Sequence, residues 1–196
     1  MEMEKTNHSG RAAMSRNLRR LAEGAAMVAI AQVLSMIILW RLPQGGSVSL
    51  DMLPIFLYAV RWGVGPGLMS GFAIGILQFI SGGGIALGWQ SIIGDYLVAF
   101  TVLGVAGLFR GWKYGVFPST LLGSAARFLV HYVVGATIWA EYMPDSFFGM
   151  TMTSPWFYSL LYNGSYMLID MALCLLVFAL LQKPMGKYLS GVDIPA

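Results

Sequence analysis

Charge is what this sequence has least of. Asp, Glu, Lys and Arg make up 11% of its 196 residues, against roughly 25% in an ordinary soluble domain. A soluble chain of this size must cover itself with polar side chains, so the deficit excludes that class. Lipid removes the requirement. Cysteine is nearly absent. Cys174 lies alone in an apolar run, says nothing about redox compartment and is read as a packing residue. Two histidines, one of them His8 in the N-terminal tail, do not make a zinc site. No phosphate-binding glycine loop runs into Lys and Ser or Thr, and no base accompanies Cys174. Asp95 and Asp170 alone are too weak for hydrolysis. The chain is therefore read as a non-enzyme without a cofactor.

What is abundant is apolar. Hydrophobic residues reach 57%, with 24 glycines and 13 methionines, and the mean hydropathy is +0.69. Small residues suit helices packed closely in lipid. Six apolar segments are expected: about Leu21–Trp40, Asp51–Arg61, a third from Gly63–Gly67 to Ile80, Trp89–Phe109, Val116–Trp139 and Trp156–Leu181. The second is short for a span, and Ser81-Gly82-Gly83-Gly84 ends the third. This is an all-α membrane protein with six transmembrane helices. Residues 20–183 form one membrane domain between a basic tail, residues 1–19, and a C-terminal tail, residues 184–196. The N-terminal tail is expected to start disordered and become helical or interfacial. Basic residues precede the first segment without a signal-peptide cleavage site.

The net charge of +3 is not read as nucleic-acid binding, because the basic residues flank the apolar segments. Lys5, Arg11, Arg16, Arg19, Arg20, Arg61, Arg110, Lys113, Lys183 and Lys187 fall on one side of the expected topology. Arg41, Glu141 and Asp145 fall on the other. The positive-inside rule then puts both termini in the cytoplasm.

That topology assigns depth to the few polar residues inside spans. Asp95 lies about two turns below the outer edge. His131 lies about 12 Å below Trp139, with Arg127 one turn deeper on the same face. Tyr158 is shallow, Asn163 deeper and Asp170 near mid-membrane. Polar groups inside spans face the bundle interior and mark substrate sites. Asp95 can accept from an amino-substituted heterocycle or neutralise a cation; otherwise it pairs with Arg127. Arg127 pairs with Asp95 or Asp170, or contacts ligand. Trp139, Tyr142, Trp156 and Tyr158 form either an interfacial aromatic belt or a stacking cage for a cationic aromatic ligand. Residues 41–50 are a plain connection or a lid. Ala22, Ala25, Ala26 and Ala29 give a smooth face for another helix of this chain or for a partner.

Several stretches together resemble a known family. They are Glu23-Gly24-Ala25-Ala26-Met27, Pro43-Gln44-Gly45-Gly46-Ser47-Val48-Ser49, Pro54-Ile55-Phe56 and Arg61-Trp62-Gly63. Asp95-Tyr96-Leu97-Val98-Ala99, Arg127 with His131, Trp139, Tyr158-Ser159-Leu160 and Asn163-Gly164 complete the set. The chain resembles the thiamine-binding substrate-capture subunit of energy-coupling factor transporters. The resemblance implies high-affinity thiamine binding near the outer face. It also implies a shared transmembrane coupling protein and two cytoplasmic ATPases in trans. Asp95, where the family often has Glu, would hold the aminopyrimidine with Tyr96. His131, Trp139, Tyr158 and Asn163 would supply stacking and hydrogen bonds. Some members carry a Trp in the first outer loop; here Trp40 lies earlier and either substitutes for it or leaves that contact unfilled. The Ala25 and Ala29 face resembles the surface that docks the coupling protein. Alternatives from the residues are a capture subunit for another vitamin or a thiamine precursor, a membrane enzyme, or a structural assembly protein.

Overall fold

A computed structural model describes residues 2–81 and 86–194, with side chains from Met14 onward. Six helices carry the chain among the described residues. They are α1 (Glu2–Ser35), α2 (Met52–Trp62), α3 (Val64–Ser81), α4 (Trp89–Phe109), α5 (Val116–Thr137) and α6 (Pro155–Leu189). Three of them, α3, α4 and α6, are long and apolar enough to cross a membrane by length and composition. The surface is apolar where a soluble protein's would be polar: Ile80, Leu129, Leu168 and Leu180 are all more than half exposed. Such faces are covered by lipid hydrocarbon.

Helix α2 is the buried centre. Residues Pro54 to Trp62 are all buried, and the core cluster gathers Ile55, Phe56, Leu103, Val116, Met167 and Phe178 around it. An 11-residue helix reaches only about 16 Å, so the expected shortness of this segment is real. Gly71 and Gly75 are buried where a side chain would press into the carbonyls of Phe100 and Tyr96. Close backbone approach of α3 to α4 requires glycine there.

Several expectations need correction. The tail expected to start disordered is helical from Glu2. Glu, Met, Lys, Ala, Arg and Leu dominate it, and all are good helix formers. The first helix ends at Ser35, not Trp40. Trp40 and Arg41 form strand β1, which pairs with β2 (Ser47–Val48) through the register Trp40 to Val48. The Gly run 82–84 lies outside the described residues. Helix α4 is not uniform: residues Ile92–Val98 are π-helical and Val102–Phe109 form a 3-10 helix. A second two-residue hairpin, β3 (Ser146–Phe147) with β4 (Met150–Thr151), caps the loop before α6. Helix α6 itself starts with Ser154 accepting from the Phe157 amide at 3.2 Å and Pro155 in the first turn.

The middle of α1 and the segment after α6 meet at one end of the bundle. Arg19 on α1 reaches Asp193 beyond α6 at 2.5 Å. Arg61, whose side chain has no exposed surface, binds Glu23 at 3.1 Å and Asp193 at 2.8 Å. Its guanidinium lies 3.6 Å over the Tyr188 ring. Glu23 also accepts from Trp62 Nε1 at 2.7 Å. The charge asymmetry makes this the cytoplasmic end.

Candidate functional site

At the opposite end, a cavity of about 410 Å³ opens between the loop 41–50 and helices α4, α5 and α6. Asp95, Tyr96, Arg127, His131, Trp139, Tyr158 and Asn163 all line it. Trp40 does not; it sits half-exposed on β1. Asp95 and Tyr96 are sequence neighbours, and in a regular α-helix adjacent side chains diverge. They share the cavity wall within the π-helical stretch, a feature frequent at functional sites.

The carboxylate of Asp95 is held by two donors. Trp139 Nε1 donates to Oδ2 at 2.8 Å, and His131 Nδ1 lies 3.0 Å from Oδ1. His131 Nε2 in turn accepts from Arg127 Nε at 3.5 Å. A neutral imidazole serves both contacts only with its proton on Nδ1, so the network selects that tautomer. The expected pairing of Arg127 with Asp95 or Asp170 is corrected: its ion pair is with Asp51, at 3.4 Å. Asp51 stands at the start of α2, a position that gave no sequence signal. Arg127 also stacks 3.9 Å over the Phe100 ring. Asn163 is bound internally at both ends. Its amide donates to the His131 carbonyl at 3.2 Å and to Ser159 Oγ at 3.0 Å, and its oxygen accepts from Tyr166 at 2.9 Å. It thereby ties α6 to α5 beneath the cavity.

The loop crosses over this site. Gln44 and Gly45 both take positive φ, +52° and +94°, to turn the hairpin. Left-handed backbone favours glycine, and Gln44 adopts it at some cost. Tyr158 donates to Gln44 Oε1 at 3.2 Å. Tyr162 accepts from the Gly46 amide at 2.9 Å and donates to the Pro43 carbonyl. The plain-connection reading of the loop is thus replaced by a strap fastened to α6. Of the expected mouth aromatics, Tyr142 lines the cavity and packs 5.7 Å from Trp139. Trp156 packs on Tyr132 instead, at 5.3 Å, and does not line it.

Charge sets what the site accepts. The lining carries two carboxylates, Asp51 and Asp95, and two guanidinium groups, Arg41 and Arg127; Arg127 is already paired with Asp51. Asp95, held by Trp139 and His131 and not by an arginine, stands among aromatic walls that suit a cationic aromatic ligand. Over residues 21–189 the chain matches the family described as Thiamine transporter protein (Thia_YuaJ).

The chain belongs to the thiamine transporter family.

Relatives agree across most of its length. The thiamine transporter ThiT of Bacillus subtilis is 34% identical over 182 residues, covering 85% of this chain and 92% of that protein. ThiT of Lacticaseibacillus paracasei is 31% identical over 146 residues, covering 66% and 70%. A solved structure of ThiT from Listeria monocytogenes superposes with a TM-score of 0.78 at 25% identity, covering 88% of this chain and 98% of that one. This thiamine transporter family member is a multi-pass protein of the bacterial cell membrane.

The cavity also has a wall that sequence reasoning missed. Gln32, Ser35, Gln78 and Ser81 bring α1 and α3 to its edge. Tyr162 and Tyr166 complete the α6 side. The signal for those tyrosines was visible: Tyr158, Tyr162, Tyr166 and Asp170 recur every fourth residue, which places them on one helical face.

Proposed function

We propose that this chain captures thiamine from outside the cell with high affinity. It then presents the vitamin to an energy-coupling factor module made of a coupling protein and two ATPases. The observation that carries the reading is the Asp95 carboxylate held between His131 and Trp139 in an aromatic cavity. Such a carboxylate is oriented to receive the aminopyrimidine, and the aromatic walls suit the permanent charge of the thiazolium. A ligand without positive charge gains nothing from the ring faces as a cation site, which weighs against a capture subunit for a neutral vitamin. The relatives, thiamine transporters by name, support the same ligand.

Trp139 and Tyr158 stack on the rings in this reading, while Tyr96 and His131 complete the polar contacts. Arg127 orients His131 and Asp51, not the ligand, because both of its side-chain polar contacts are internal. Trp40 makes no contact. The sequence carries no nucleotide-phosphate loop, so energy for uptake comes from the ATPase partners. Ala22, Ala25, Ala26 and Ala29 are all exposed on α1, which supports their docking the coupling protein. The tails 1–19 and 184–196 stay cytoplasmic in this arrangement. Calorimetry on detergent-purified protein tests it: saturable binding of thiamine at one site is expected, with riboflavin failing to compete. Heatless mixing with thiamine, or displacement by riboflavin, overturns the reading.

A further inference from the structure

The geometry points to Asp170 as a positioning residue that anchors the inner end of the loop and so sets how slowly bound ligand leaves. This rests on the thiamine-capture reading above. Asp170 is 2% exposed in the middle of α6, and no ion pair holds it among the described residues. Its carboxylate accepts instead from the loop amide of Ser49, at 2.9 Å. The Ser49 hydroxyl continues the chain, accepting from the Asp51 amide at 3.4 Å. A buried carboxylate is costly unless hydrogen-bonded, so this contact has a reason to persist.

The rest of the α6 face gives the contact a direction. Tyr158 meets Gln44, Tyr162 meets Pro43 and Gly46, and Asp170 meets Ser49. From Tyr158 to Asp170 the helix descends about 18 Å. From Gln44 to Ser49 an extended chain covers about 16 Å. The loop therefore runs down one stripe of α6 from the rim toward mid-membrane. The rungs differ. Gln44 and Pro43 are exposed, and tyrosine hydroxyls make neutral hydrogen bonds there. The Ser49 and Asp170 rung is buried on both sides, where no water competes for either group, which makes it the stronger rung. The outer rungs open to admit ligand while the inner rung stays made, so Ser49 is the hinge and Pro43–Gly46 the moving flap.

Two substitutions remove the inner rung from opposite sides. Asp170→Ala removes the acceptor. Ser49→Pro removes the donor and leaves α6 intact, so it carries the test where Asp170→Ala does not fold. Asp170→Asn keeps an acceptor oxygen and discards the charge. Stopped-flow tryptophan fluorescence of purified protein with thiamine separates association from dissociation. Expected for both Asp170→Ala and Ser49→Pro is release about 10-fold to 100-fold faster, the effect of leaving one buried polar group unpaired. Association should change less than about threefold, and Asp170→Asn should restore most of the slow release. Release at the wild-type rate in both variants overturns the inference, as does Asp170→Asn behaving like Asp170→Ala. Hydrogen exchange reads the hinge without ligand: the Ser49 amide should exchange faster in Asp170→Ala with helix amides unchanged. Unchanged exchange at Ser49 overturns the hinge. A wild-type protein that does not bind thiamine but shows this exchange change refutes the capture reading and leaves the hinge standing.

Discussion

At the scale of single residues, Trp139 has two separable duties. Its ring faces the cavity, and its Nε1 donates to Asp95 at 2.8 Å. Sequence depth placed Trp139 at the outer edge and Asp95 about two turns below, and gave Trp139 only the stacking duty, because a hydrogen bond between α4 and the end of α5 depends on helix rotation. Trp139→Ala removes both and is expected to weaken thiamine binding at least about 100-fold. Trp139→Phe keeps a ring and frees the carboxylate, for a loss nearer tenfold, the value of one hydrogen bond to a charged group. Titration calorimetry of the three proteins checks this, and equal losses for the two variants would refute the division. Arg127 shows the opposite limit of legibility. Its burial was foreseeable from an intramembrane charge, but its partner Asp51 was not. Asp51 looked like an ordinary residue preceding a helix, and only the packing of α2 against α5 brings the pair together.

At the scale of elements, the helices were readable and the connections were not. Apolar runs of span length declare helices whatever their partners. Two-residue strands carry no periodicity, and a π-helical stretch has no composition of its own. Gly46 did carry a signal, although the sequence left open whether its loop is a plain connection or a lid. A Cβ there would lie 2.8 Å from Tyr162 Oη and 2.9 Å from the Tyr166 ring, so glycine serves close approach of the loop to α6. Gly46→Ala is expected to lift the flap and speed thiamine release about tenfold, the scale of one lost hydrogen bond, with circular dichroism unchanged. Stopped-flow dissociation measures it. The α1 face makes the contrasting case. Sequence left it open whether Ala29 packs inside or outside, and the structure puts it outside. Ala29→Leu should therefore spare binding by the purified protein and reduce thiamine uptake by cells supplying the partner proteins. Lost binding in calorimetry would mean that the face packs internally.

At the scale of the whole molecule, the two ends of the bundle are built differently. The outer end has a cavity beneath a fastened flap. The cytoplasmic end is sealed by Arg61, whose buried guanidinium joins α1, α2 and the segment after α6 through Glu23 and Asp193. In the proposed cycle ligand has no inward path through this end, so delivery requires the whole subunit to reorient. The planar fork of Arg61 uses all three nitrogens, to Glu23, Asp193 and the Tyr188 carbonyl, a pattern lysine cannot copy. Asp193 lies outside the spans, and its hydrogen bond from Arg61 holds its carboxyl below the usual carboxylate value. A depressed folded-state pKa contributes stability above the unfolded value of about 3.9 and loses it as pH falls through the folded one. Asp193→Asn is therefore expected to melt roughly 2–4 °C lower than wild type at pH 7, the shift expected for about 1 kcal/mol in a chain of this size. The gap should hold down to about pH 5 and close as the medium is acidified below about pH 4. Thermal melts of the two detergent-purified proteins across that range check it. A gap that persists undiminished at the acidic end would mean that Asp193 holds the seal by shape and not by charge.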